Sequence, residues 1–135
     1  MSKILIACVE DLFFRSKIEA TARHLNAPVR FVSAKELPGA GQDKAAVAVL
    51  LELSSNGDSL AAVRELRSRK ATEALPVIGF LSHIDKQLAR DAEAAGVSQV
   101  LPRSQFSENL PDLLMDLLAP GTKREMQEEP ELPDE

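Results

Sequence analysis

Ala45-Ala46-Val47-Ala48-Val49-Leu50-Leu51-Glu52-Leu53 is the most hydrophobic stretch of a chain of 135 residues. It is an unbroken apolar run interrupted only by Glu52. A run of this length fits a central parallel strand buried on both faces. It also isolates Glu52, because a carboxylate in an apolar run is costly unless it is partnered.

Working outward, Lys3 to Val9 is a second apolar run, too short for a buried helix and right for a first strand. Asp11 suits the cap of a following helix. Phe14, Ile18, Ala22 and Leu25 then recur at helical spacing, and Asn26 suits a left-handed stop. Pro28 to Ser33 predicts a second strand. Pro38, Gly39 and Gly41 allow only one helical turn and a loop between Ala34 and Lys44.

After the central strand, Asp58 or Ser59 is placed to cap a helix with Leu60, Val63 and Leu66 inward. Arg64, Arg67, Arg69 and Lys70 then form a solvated face, able to meet phosphates or an acidic partner but more simply explained by solvation. Val77 to Leu81 predicts a fourth strand. Asp85 caps a fourth helix that Gly96 ends. Val97 to Leu101 predicts a fifth strand. Leu110, Leu113, Leu114, Leu117 and Leu118 follow the pattern of a core-facing fifth helix, ended by Pro120-Gly121.

Strands alternating with helices imply an α/β fold: a five-stranded parallel sheet with right-handed crossovers and helices on both faces, a three-layer sandwich. The chain divides into a folded domain at 1–119 and an acidic tail at 120–135 expected to be disordered. Net charge is −5, and Lys123 to Glu135 carries two cations against six anions. The body is therefore almost neutral and gives no electrostatic case for nucleic acid. With no Trp or Tyr and five Phe, it offers no base-stacking platform either. The single cysteine, Cys8, cannot close an internal disulfide. No run is long enough for a membrane span. The expectation is a cytoplasmic protein.

In such sheets, chemistry gathers at the carboxyl ends of the strands. Those ends carry Cys8, Val9, Glu10 and Asp11; Glu52; Ser82 and His83; and Arg103 with Ser104. No phosphate-binding glycine loop and no dinucleotide fingerprint is present. His24 and His83 lack the paired spacing of a metal site. A lone Cys ending a buried strand is read as a small hydrophobe. Of Leu12-Phe13-Phe14, only one or two can share a core stripe, and all three are expected to pack over the short second helix region rather than to meet a partner.

The element order, with Val49-Leu50-Leu51-Glu52-Leu53, Pro76-Val77-Ile78-Gly79-Phe80-Leu81-Ser82 and Gly96 to Phe106, resembles the flavodoxin-like receiver domain of bacterial two-component response regulators over residues 3–118. The resemblance implies an acidic pair for Mg²⁺ after the first strand, an Asp acceptor ending the third, a hydroxyl after the fourth and a Lys after the fifth. Here the acidic pair falls on Cys8 and Val9, neither a hard oxygen ligand. Glu10 and Asp11 follow one or two residues late. Glu52 takes the acceptor place, Ser82 the hydroxyl place and Arg103 the Lys place.

The chain thus resembles a degenerate, or pseudo-, receiver. The resemblance implies a stand-alone signalling module, not an enzyme, acting through a protein partner without aspartyl phosphorylation and without a cofactor. It also implies possible self-association through the face of the fourth helix, fifth strand and fifth helix. Two readings of Glu52 stand: a solvated carboxylate, or a fixed mimic of the phosphorylated state paired with Arg103. Two other functions stand beside the module: an active phosphorelay receiver using Glu10 or Asp11 for Mg²⁺ and Glu52 as acceptor, and a small ligand-binding domain or enzyme with a strand-end pocket.

Overall fold

The computed structural model describes residues 3–54 and 57–119; the acidic segment 120–135 lies outside the described residues. In chain order the elements are β1 (Ile4–Cys8), α1 (Leu12–His24), β2 (Val29–Phe31), α2 (Leu37–Ala40), β3 (Ala46–Leu53) and α3 (Asp58–Ser68). Then follow β4 (Val77–Leu81), α4 (Lys86–Ala95), β5 (Gln99–Pro102), α5 (Arg103–Glu108) and α6 (Leu110–Leu118). The sheet runs β2-β1-β3-β4-β5, and every pairing is parallel. The expected α/β architecture is present.

β3 is central and buried on both faces, as its apolar run requires. Val49, Leu51 and Leu53 point to the face covered by α2, α3 and α4, where Leu37, Val63, Leu66, Leu88 and Ala92 meet them. Ala48 and Leu50 point to the opposite face, covered by α1, α5 and α6. There Phe14, Phe80 and Phe106 form a cluster, with Phe80 and Phe106 stacked at 4.2 Å and Phe14 at 4.7 Å from Phe80. Such ring pairs add to the burial of their area. An otherwise aliphatic interior is thus anchored on one face by three of the chain's five phenylalanines.

Local chemistry explains most helix ends. The Asp11 carboxylate accepts from the Phe13 and Phe14 amides and starts α1. The Asp85 carboxylate accepts from Leu88 and starts α4. Asn26 and Gly96 adopt left-handed backbone after α1 and α4, at φ 59° and 115°. Ser33 and Glu36 exchange side-chain-to-backbone hydrogen bonds just before the single turn of α2.

Neither Asp58 nor Ser59 caps α3. Gly57, at φ 88°, occupies that place without a side-chain bond, and both residues lie in the first turn. A short helix not anticipated from the sequence, α5, follows β5 directly; buried Phe106 holds it against the core. Pro111 stands at the start of α6, where its missing N–H is harmless.

The basic face expected on α3 is only partly solvated. The Arg67 guanidinium turns inward and donates to the carbonyl oxygens of Gly96 (2.9 Å), Glu73 (3.0 Å) and Leu75 (2.7 Å), and to Ser98 Oγ (3.2 Å). Burial pulls its pKa below the ordinary arginine value. Beneath it, the Thr72 hydroxyl, itself buried, donates to the Leu66 carbonyl. One planar, multivalent donor therefore joins the end of α3, the 72–75 connection and the α4–β5 turn. Arg67→Ala is expected to lower unfolding free energy by about 1–2 kcal/mol, because partly buried carbonyls lose their donor. Arg67→Lys should recover less than half of this, since a single ammonium cannot span the same set. Chemical denaturation midpoints of the three proteins check both statements.

Candidate functional site

The carboxyl ends of β1, β3, β4 and β5 bring Cys8, Glu52, Ser82 and Arg103 to one edge of the sheet. Glu52 pairs in register with Phe80 of β4, one residue before the end of β3. Its Oε1 accepts hydrogen bonds from the Glu10 amide (2.8 Å) and the Asp11 amide (3.2 Å). These bonds reach across from β3 to the loop after β1. They give the charge of Glu52 two donors and the turning backbone an acceptor.

The expected Glu52–Arg103 pair does not form. Arg103 donates to the Ser82 carbonyl at 3.1 Å, and its guanidinium lies 5.5 Å from the centre of the Phe14 ring. The backbone amides are closer claimants on Glu52, and an exposed Arg gains more from an aromatic face and a carbonyl than from crossing the strand tips. Glu52 is not the freely solvated carboxylate of the other reading either. Ser82 Oγ contacts the Leu53 carbonyl at 3.4 Å, a long hydrogen bond that ties β4 to β3. Neither Ser82 nor Arg103 donates to Glu52.

Around β1, Val9 is buried among the apolar residues of the α1 face. Asp11 is occupied as the α1 cap through one carboxylate oxygen. Cys8 is half-buried, and its thiol is pushed up to about 11 by burial first and by the nearby Glu10 and Glu52 carboxylates second. At neutral pH it is a protonated thiol, not a ligand. Of the sequence candidates after β1, Val9 offers no side-chain oxygen, Cys8 a protonated thiol and Asp11 a carboxylate engaged as a cap, which leaves the Glu10 carboxylate beside Glu52. Among the described residues no three His, Cys, Asp or Glu side chains group as metal ligands.

Leu12 and Phe13 contradict the packing expected of them. They are 77% and 60% exposed, whereas Phe14 is buried. A helix offers one stripe to its core, and the Asp11 cap fixes which residue falls on it. Ile84, in the loop after β4, is 89% exposed at the same end of the sheet. A groove of 460 Å³ runs beside it, lined by Ser82, His83, Lys86, Arg103 and Ser104 among others. A second groove, of 380 Å³, opens on the β2 side of Glu52. His83 is the sequence candidate that the first groove takes in; His24 ends α1 at the far end of the molecule.

The Cys8 environment has a measurable signature. Its folded pKa of about 11 stands above the ordinary 9.0, so the protonated thiol stabilises the fold below pH 9 and that contribution is lost as pH rises towards 11. Alkylation of native protein at pH 8 is expected to be much slower than that of unfolded chain and to accelerate above pH 10. Cys8→Ser should flatten the alkaline decline of stability between pH 9 and 11, read by thermal unfolding.

No family model and no curated protein matches the sequence. Solved structures do match the fold. The receiver domain of the sensor histidine kinase PA1611 from Pseudomonas aeruginosa PAO1, with a magnesium ion coordinated in its active-site cleft, superposes with a TM-score of 0.73 at 18% identity, over 87% of this chain and 98% of that one. The phosphorylated cyanobacterial phytochrome response regulator RcpA gives 0.73 at 14% identity, over 90% and 98%. The Vibrio cholerae chemotaxis protein CheY4 gives 0.72 at 13% identity, over 87% and 99%. No helix among the described residues is long and apolar enough to cross a membrane. The chain has the flavodoxin-like fold of response regulator receiver domains.

Proposed function

We propose that this chain is a receiver-like signalling module that acts by protein contact and is not switched by aspartyl phosphorylation. The observation that carries the reading is the engagement of Glu52. In the acceptor place it is already hydrogen-bonded to the amides of Glu10 and Asp11. A phosphoryl transfer needs divalent charge and fixed donors around the moving oxygens. Here the residues that would hold a metal are replaced by Val9 and a protonated Cys8. Ser82 and Arg103, which would hold phosphoryl oxygens, are turned to backbone carbonyls.

The contact surface is the carboxyl end of the sheet. Leu12, Phe13 and Ile84 are the exposed large hydrophobic residues among those described, and all three sit there. The face made by α4, β5 and α6 presents none of comparable exposure, which favours the strand ends over self-association through that face. Exposed apolar side chains at this end, with Lys86 and Arg103 beside Ile84, suit a protein partner that brings its own apolar side chains.

The test is incubation with Mg²⁺ and either acetyl phosphate or beryllofluoride. Intact mass and thermal unfolding are expected to show no adduct and no shift; a stoichiometric adduct or a clear gain in unfolding temperature would overturn the reading. A second expectation concerns the patch. Phe13→Ser and Ile84→Ser should change unfolding free energy by less than about 0.5 kcal/mol, as surface residues do. A loss several times larger would mean that these side chains serve the fold and not a partner.

A further inference from the structure

The groove on the β2 side of Glu52 has chemistry that neither protein contact nor the fold requires. Cys8, at the end of β1, is part of its lining. One wall is the segment after β2, with Lys35; the other is the first turn of α3, with Asp58 and Ser59. Its 380 Å³ is within the range of small-ligand clefts, ~300–1,000 Å³.

Two observations point to an occupant. Ser59 is 4% exposed, and its hydroxyl has no hydrogen-bond partner among the described residues. Buried hydroxyls are nearly always satisfied, so an orphan lining a cleft marks a place for an outside partner. Glu52 lines the same groove, and only its Oε1 is hydrogen-bonded; its Oε2 has no bond among the described residues.

Charge selects the class of that occupant. The lining holds the carboxylates of Glu10 and Glu52 and one ammonium, that of Lys35, with Asp58 in the first turn of α3. Burial is the main cause of the raised Cys8 thiol, and Glu10 and Glu52 add to it from the same side. The N-terminus of α3 would favour an anion, but Asp58 in its first turn answers the dipole. We infer that this groove binds a small organic cation that also carries hydroxyl groups, its ammonium on Glu52 Oε2 and Glu10 and a hydroxyl on Ser59 Oγ. The inference stands beside the protein-contact reading and does not rest on it. A beryllofluoride adduct would end that reading and leave the groove to be judged on its own.

The experiment is amide NMR of the full chain in phosphate-free, amine-free buffer. The probes are glucosamine, glucose, sulfate and Mg²⁺. Glucosamine is expected to shift amides of residues 33–35 and 52–59 saturably, whereas glucose and sulfate leave them in place. Glu52→Gln keeps an oxygen for the Glu10 and Asp11 amides but removes the charge; it should weaken glucosamine about tenfold. Ser59→Ala should weaken it about fivefold while raising the unfolding temperature of the free protein. The inference is overturned if glucosamine gives no saturable shift there, if sulfate binds in its place, or if Mg²⁺ alone reproduces the shifts. It is overturned equally if Ser59→Ala stabilises the chain without touching glucosamine binding, which would make the hydroxyl a plain packing defect.

Discussion

A strand buried on both faces can carry a charge only at its tip, and only if that charge finds donors. Glu52 meets both conditions: it ends β3, and its carboxylate is held by the amides of Glu10 and Asp11. The rest of the edge follows from this bond. With its backbone fixed, Asp11 is placed to cap α1. The cap sets the rotation of the helix, which sends Phe14 into the stack with Phe80 and leaves Leu12 and Phe13 outside. The exposed apolar end and the buried aromatic cluster are two results of one turn.

The same bond gives this edge a different tie from that of a metal-loaded relative. In the Pseudomonas aeruginosa receiver domain a magnesium ion occupies the active-site cleft. Here two backbone N–H groups perform the bridging between the first and third strands that a cation could otherwise supply. Neutral donors of this kind hold a carboxylate in place permanently, with no dependence on metal concentration or phosphate. The Glu52 oxygen used in this way is anchored to the loop after β1.

Periodicity carried most of the fold, because apolar runs and helical stripes are imposed by the two faces of a parallel sheet. The runs around Val49 and Ile78 and the stripe at Leu110, Leu114 and Leu118 are of this kind. Caps at Asp11 and Asp85, and the left-handed stops at Asn26 and Gly96, were legible for the same local reason. The short α5 was not, because its only anchor is Phe106, and one residue makes no period. At the site, the cluster of strand-end residues was legible from topology, but its bonding was not. Side-chain complementarity suggests Arg103 for Glu52, whereas the bonds go to backbone, which has no letter in a sequence. Arg67 escaped for a parallel reason: its partners are mostly carbonyl oxygens from three separate segments, and its neighbours Arg64 and Arg69 disguise it as one more surface charge.

The Arg67 clamp also sets where this molecule is most tightly fastened. Adding a Cβ at Gly96 would bring it within 2.7 Å of Arg67 Cγ, so side chain and turn are fitted to one another with no slack. The amino ends of β4 and β5 are thereby riveted to the foot of α3. Among the described residues the opposite edge shows no comparable clamp on the β4–α4 loop, which carries the long Ser82–Leu53 contact and one bond from an exposed arginine. Fastening is thus dense at the base of the sheet and sparse at the rim that carries Ile84.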